Sequence, residues 1–157
     1  MTTQDHVDIR KATPADIDVL VSFNASMAME TEGRSLDRDT LTEGTKAVFD
    51  SPQKGYYLVA EADGEVVGSL LCMEEWSDWR SATFWWVQSV YVRPDWRRRG
   101  IYRRLHDWVH EAARAADRVC GVRLYVDKDN HIAQATYTSL GMSKTNYDLY
   151  EIDFAPP

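Results

Sequence analysis

The sequence predicts an α/β fold, a sandwich of helices around a mixed sheet. Three observations lead there. Runs rich in aromatic and β-branched residues alternate with runs of helical period along the chain, the order that layers helices on a sheet. One run, residues 82–92, reads Ala-Thr-Phe-Trp-Trp-Val-Gln-Ser-Val-Tyr-Val, the composition of a well-buried strand. Pro94 cannot extend such a strand, and from Ile101 onward Leu105, Trp108, Val109, Ala112, Ala113 and Ala116 recur with a helical period.

Taken in order, residues 7–12 form a short first strand. Thr13, Pro14 and Asp16 make a capping-box-like helix start. That helix buries Ile17, Leu20, Val21 and Asn24 or Ala25, frays across 27–32 and ends at Gly33. A second helix runs from near Asp37 to Phe49 with Leu41, Val48 and Phe49 inward, until Ser51-Pro52 stops it. Strands at 55–61 and 65–73 join through Ala62-Asp63-Gly64, a hairpin signal. Residues 76–81 are a loop before the aromatic strand. After the long helix, Gly121 breaks the chain and 122–126 forms a strand. Residues 130–140 form a helix closed by Gly141, and 142–154 return as one or two strands. With no repeats or linkers, residues 1–157 read as a single domain.

Charge narrows the function. The net charge is −7, which argues against a nucleic-acid partner although Arg97, Arg98, Arg99, Arg103 and Arg104 cluster. A local basic spot in an acidic protein suits a small anionic ligand. Cys72 and Cys120 lie on apolar stretches without paired spacing, so neither a disulfide nor a metal is expected of them. No apolar run approaches a membrane span, and the first residues have no signal-peptide character. The expectation is a soluble cytoplasmic protein with no membrane partner.

The strand, the turn Arg97-Arg98-Arg99-Gly100 and the helix after it place backbone N–H groups at a helix N-terminus. Such a terminus carries about half a positive charge and unpaired donors, a ready anion site. Arg97-Arg98-Arg99-Gly100-Ile101-Tyr102 resembles the Arg/Gln-x-x-Gly-x-Gly/Ala signature of the GNAT superfamily of acyl-CoA N-acyltransferases. Residues 130–142, from Asn130 through Ala133, Tyr137 and Gly141 to Met142, resemble its second motif, Asn-x-x-Ala-x-x-x-Tyr-x-x-x-Gly-Phe. Residues 7–16 resemble its opening strand and helix start. The similarity spans nearly the whole chain, with Tyr102 standing where Gly or Ala is usual and Met142 where Phe is.

The resemblance implies a mixed, mostly antiparallel central sheet flanked by helices on both faces, and acetyl transfer from acetyl-CoA, as cosubstrate, to a primary amine of a small molecule or peptide. It places the cofactor against Val90, Tyr91 and Val92, against the loop Arg97, Arg98, Arg99, Gly100, Ile101, Tyr102 and Arg103, and against Asn130 and Tyr137. Tyr137 is implied as the general acid for the departing thiolate. A tyrosine pKa near ~10 exceeds a thiol's ~8.5, so full proton transfer is uphill by roughly 2 kcal/mol and hydrogen bonding to the thiolate is the easier service. Read without the family, Asn130 is a helix N-cap.

An alkylamine is mostly protonated at pH 7, at a cost of roughly 4–5 kcal/mol, so a carboxylate that takes its proton would help. Some members carry a glutamate on the strand before the phosphate loop, where this chain has Gln88. Glu74, Glu75 and Asp78 after the preceding strand are the candidates for the base, and Glu30 and Glu32 stand in the first inter-helix segment. Gathered with Trp76, Trp79, Trp85 and Trp86, these acids suggest an aromatic and acidic wall suited to a cationic amine, with Glu30, Trp85, Trp86 and Gln88 as the expected substrate contacts. His106-Asp107-Trp108-Val109-His110 imitates the zinc-protease H-E-x-x-H pattern, but Asp replaces the catalytic Glu and no third ligand is apparent; both histidines are expected at the helix's solvent edge, and no metal is expected. The alternative to an enzyme is a non-catalytic acyl-CoA-binding or regulatory module. A homodimer through the C-terminal strands is a further expectation.

Overall fold

The computed structural model describes residues 5–155, which fall into two compact units, one ending at Leu124 and the other beginning at Tyr125. The first unit carries β1 (Val7–Lys11), α1 (Ile17–Glu32), α2 (Arg38–Asp50), β2 (Tyr56–Ala62), β3 (Glu65–Ser77), β4 (Ala82–Val92), α3 (Ile101–Ala115) and β5 (Val119–Arg123). Its sheet follows chain order, β1-β2-β3-β4-β5, and is antiparallel except for the parallel β4–β5 pair. This is the mixed, mostly antiparallel sheet that the sequence implies. The second unit carries one helix, α4 (His131–Ser139).

Local chemistry explains the element ends. Thr13 and Asp16 form the reciprocal capping box, and Asp16 also accepts two hydrogen bonds from Arg10 (2.8 and 3.0 Å), which ties the start of α1 to β1. The Asp37 side chain accepts from the Thr40 amide at 2.8 Å and caps α2. α1 stays helical through Glu32 instead of fraying, because left-handed Gly33 (φ 63°) and Arg34 return their N–H groups to the Met29 and Ala28 carbonyls.

Two apolar layers sandwich the sheet. On one face α3 lays Ile101, Leu105, Val109 and Ala113 over Leu58, Val67, Leu70, Trp85 and Val87. On the other, Leu20 of α1 and Val48 and Phe49 of α2 cover Tyr57, Val59 and Leu71. Leu20, Leu58, Leu70 and Leu105 are fully buried, each contributing about 1.5–3 kcal/mol by removal from water. In α1 the third buried position is Phe23, with Asn24 and Ala25 half-buried.

Three expectations are corrected. β3 runs on to Ser77, because Glu74, Glu75 and Trp76 pair with Trp85, Phe84 and Thr83, so the connection to β4 is short. β5 starts at Val119, and Gly121 lies inside it: a Cβ there would stand 2.7 Å from the Phe84 ring, so glycine is what lets the strands approach. Residues 142–154 carry no strand. Their apolar residues suit one, but strand structure is realised only through ladder hydrogen bonds to a partner, and none is paired to them.

Candidate functional site

The site begins at a fault in β4. Opposite Leu70 the β3–β4 register slips, and Ser89 adopts φ 54°, a β-bulge that places an extra residue in β4. Its effect shows in the facing of the side chains. Gln88 pairs with Leu71 and Tyr91 with Ser69, so residues three apart share the α1–α2 face, which an unbroken strand forbids. Val90 and Val92 pack on the opposite, α3-facing core.

β5 pairs only with residues 83–86 of β4. Beyond Trp86, the edge of β4 away from β3 has no strand partner among the described strands of this unit. Arg93 donates its N–H to the Val67 carbonyl at 2.9 Å, and backbone alternation therefore turns the amides of Val90 and Val92 toward that open edge. These are the two residues that the family resemblance implies lie along an acyl-carrying arm.

β4 leads through a short 3-10 turn, Pro94–Trp96, into the basic turn. Arg98 (φ 63°) and Gly100 (φ 76°) are both left-handed, and α3 starts at Ile101 with no side-chain cap on its first turn. A curled, amide-rich loop running into an uncapped helix end is an anion cradle. Gly68 of β3 lets it sit close to the sheet, since a Cβ there would lie 3.0 Å from Ile101 Cγ2 and 3.2 Å from the Tyr91 carbonyl. A glycine inside an apolar strand was the sequence signal for such an approach. The Tyr102 ring leans along α3 toward His106, 5.9 Å between centroids.

The arginines divide. Arg97 donates to the Val92 carbonyl (2.9 Å) and to Glu30 (2.7 Å), and Arg99 pairs with Asp5 (3.2 Å) and lies over the Trp96 ring. Arg104 donates to the Val7 carbonyl at 2.9 Å. Within the cluster, Arg98 and Arg103 are exposed and have no partner among the described residues.

The expected acceptor wall splits between the two faces of the sheet. Trp86 and Gln88 share the α1–α2 face with Met73 and Leu71. Trp85 points the other way, into the α3 layer, 9% exposed and edge-on to Tyr56, so its assignment to a substrate wall is corrected: strand alternation sends neighbours to opposite faces. Glu74 pairs with Trp85 and so stands on the α3 side, away from Gln88. Glu75 lies on the correct face but is bound to Arg123 at 2.8 Å, four strand residues from Gln88, or roughly 13 Å at ~3.3 Å per residue. Glu30 is engaged as well: Tyr91 Oη donates to it at 3.1 Å, and the Arg97 guanidinium holds its carboxyl below the usual range.

His106 is buried and His110 half-buried, their rings stacked at 3.9 Å, which corrects the expected solvent-edge placement. The packed face of α3 is wider than its aliphatic stripe. Burial pushes the His110 imidazole toward its neutral form. Among the described residues no group of three or more metal-ligating side chains gathers.

In the second unit, the Asn130 side chain accepts from the Ala133 amide at 3.1 Å and caps α4. Tyr137 lies on α4 half-buried, and desolvation raises its pKa.

Residues 23–142 match the model of the acetyltransferase (GNAT) family. A possible acetyltransferase from Clostridium difficile 630 is 41% identical, superposes with a TM-score of 0.89 and covers 96% of this chain and 99% of its own. A transcriptional regulator from Bacillus halodurans C-125 is 23% identical (TM-score 0.79; 95% of this chain, 100% of its own) and shares the fold. So does an aminoglycoside N-acetyltransferase in complex with CoA, 15% identical (TM-score 0.75; 99% of each chain). Among curated proteins none matches.

Proposed function

The chain belongs to the GNAT acetyltransferase family, and on that premise we propose that it transfers an acetyl group from acetyl-CoA to a primary amine of a small molecule or peptide. The observation that carries this reading is the junction of β4 with α3: an open strand edge that runs into a left-handed, uncapped loop flanked by Arg98 and Arg103. The fit to an acyl-CoA is chemical. Phosphates suit the loop amides and the exposed guanidiniums of Arg98 and Arg103, and an extended amide-bearing arm suits the Val90 and Val92 backbone.

The thioester supplies the activated acyl group. The amine nitrogen bonds to the carbonyl carbon, the C–S bond breaks, the nitrogen loses a proton and the thiolate gains one. Positioning supplies most of the acceleration, and the Val90 and Val92 amides are the donors at hand for the carbonyl oxygen. Tyr137 is the proposed donor to the departing sulfur; its burial keeps the phenol protonated, as a donor must be. On the α1–α2 face, Trp86 and Gln88 are the proposed acceptor contacts. Since Glu30 and Glu75 are both held by arginines, water is the proposed carrier of the amine proton.

That same engagement of the carboxylates favours one second reading, a module that binds acyl-CoA without turnover. Thermal unfolding with acetyl-CoA, followed by a thiol-release screen of amines, tests both. Ligand at a hundred times Kd should add about 2.7 kcal/mol of stability. Stabilisation with thiol release supports the enzyme, stabilisation without release in any amine class supports the module, and no stabilisation overturns both.

A further inference from the structure

Glu30, near the end of α1, and Arg97, at the head of the basic turn, are separated by 67 residues and joined at 2.7 Å. The contact is one edge of a closed set. Tyr91 Oη donates to the other oxygen of Glu30 at 3.1 Å, and the Arg97 guanidinium lies 5.5 Å over the Tyr91 ring. Arg97 Nε donates to the Val92 carbonyl at 2.9 Å. Tyr91 itself is 7% exposed and anchored against Phe23 of α1, 5.0 Å between ring centroids.

Two consequences follow from this set. The Arg97 side chain commits its Nε and Nη2 donors to the Val92 carbonyl and to Glu30, which ties the head of the turn to β4 and α1. The Val92 carbonyl, which faces the open edge of β4, is satisfied by Arg97 and adds no bare dipole to a region meant to attract an anion. The next residue, Arg98, is the left-handed one. A strained backbone of this kind persists only where its neighbours determine it.

We propose that Glu30 is a positioning residue for acetyl-CoA: through Arg97 it braces the turn that presents the phosphate-binding amides. The proposal rests on the acetyl-CoA reading above. An exposed ion pair by itself contributes little to stability, and Glu30 and Arg97 are 39% and 45% exposed; the function of this one is to fix the geometry of the turn. Electrostatics alone would argue the reverse, since a carboxylate repels a phosphate and its removal should tighten binding.

That opposition in sign makes the test decisive. Acetyl-CoA binding is measured by calorimetry for the wild type, Glu30→Ala, Arg97→Ala, the double variant and Glu30→Gln, with unfolding temperatures alongside. Each alanine variant should bind about five- to tenfold more weakly, with the double variant no worse than either, as expected of two residues acting as one unit. Glu30→Gln, which keeps an oxygen for Arg97 and a partner for Tyr91, should recover most of the affinity. In turnover assays KM for acetyl-CoA should rise more than kcat falls. Unchanged or tighter binding by Glu30→Ala, with weaker binding by Arg97→Ala alone, would show direct contact of Arg97 with phosphate and overturn the positioning role. Failure of the wild type to bind acetyl-CoA overturns the acetyl-CoA reading and this proposal together.

Discussion

Ile101 rests on Gly68 so closely that a Cβ on the glycine would stand 3.0 Å from Ile101 Cγ2. The contact sets the height of the first turn of α3 above the sheet, and with it the place of the loop amides. Gly68→Ala is expected to cost roughly 1–3 kcal/mol through overpacking and to weaken acetyl-CoA binding as the helix start is pushed outward. Thermal unfolding and calorimetry read the two effects separately; an affinity equal to wild type would break the link between this packing and the loop.

Arg98 and Arg103 are the cluster's cations without a partner among the described residues, whereas Arg99 is held by Asp5. Alanine at either of these two positions should weaken acetyl-CoA binding about three- to tenfold and flatten its dependence on salt, as loss of an exposed charge contact does. Arg99→Ala should change both far less. Titrations at low and high ionic strength decide it, and equal effects at all three positions would mean that net charge alone governs binding.

Tyr137→Phe should lower kcat by about a hundredfold, in line with removal of one proton donor, while leaving acetyl-CoA affinity within about twofold. Stopped-assay kinetics over a range of pH make the check. A variant as fast as wild type removes Tyr137 from the chemistry.

Adjacent tryptophans should part company. Trp85 fills the α3 layer at 9% exposure, and its replacement by alanine should cost about 3–5 kcal/mol. Trp86, on the α1–α2 face, should lose acceptor selectivity at a much smaller cost in unfolding temperature. Chemical denaturation and amine-acceptor KM values separate the outcomes.

Acid should loosen the first unit through Asp16. Its carboxylate accepts from Arg10 and from the Thr13 amide, and those bonds, the Arg10 one foremost, hold its pKa below the ordinary 3.8. A pKa lower in the folded than in the unfolded state means that the stabilisation is complete above about pH 4 and is lost as pH falls through the folded value. Asp16→Asn should be less stable by about 1–3 kcal/mol at neutral pH and should show a shallower loss on acidification. Parallel acid titrations followed by circular dichroism test this.

Much of the molecule was legible before folding. The capping box at Thr13 and Asp16, the Asn130 cap, the helix start near Asp37, the Asp63-Gly64 hairpin and the start of α3 at Ile101 are set by neighbours within four residues. The placing of β5 was misread because Gly121 looks like a breaker in isolation. Only the Phe84 ring on the next strand shows why a glycine belongs there.

What the sequence by itself determined is therefore the part with local causes: the order of the elements from β1 to α4, the caps and the hairpin turn between them, and the basic turn between a buried strand and a helix. The tertiary structure decided which side chains meet. The Ser89 bulge turns Gln88 and Tyr91 to one face, Arg123 claims Glu75, and Glu30 crosses 67 residues to Arg97. Register and ion pairing are non-local: they depend on the energy of bringing distant strands and helices together, and no pattern along the chain encodes it. That is why the basic turn could be read from the sequence, while the pairing of Glu30 with Arg97 and of Glu75 with Arg123 could not.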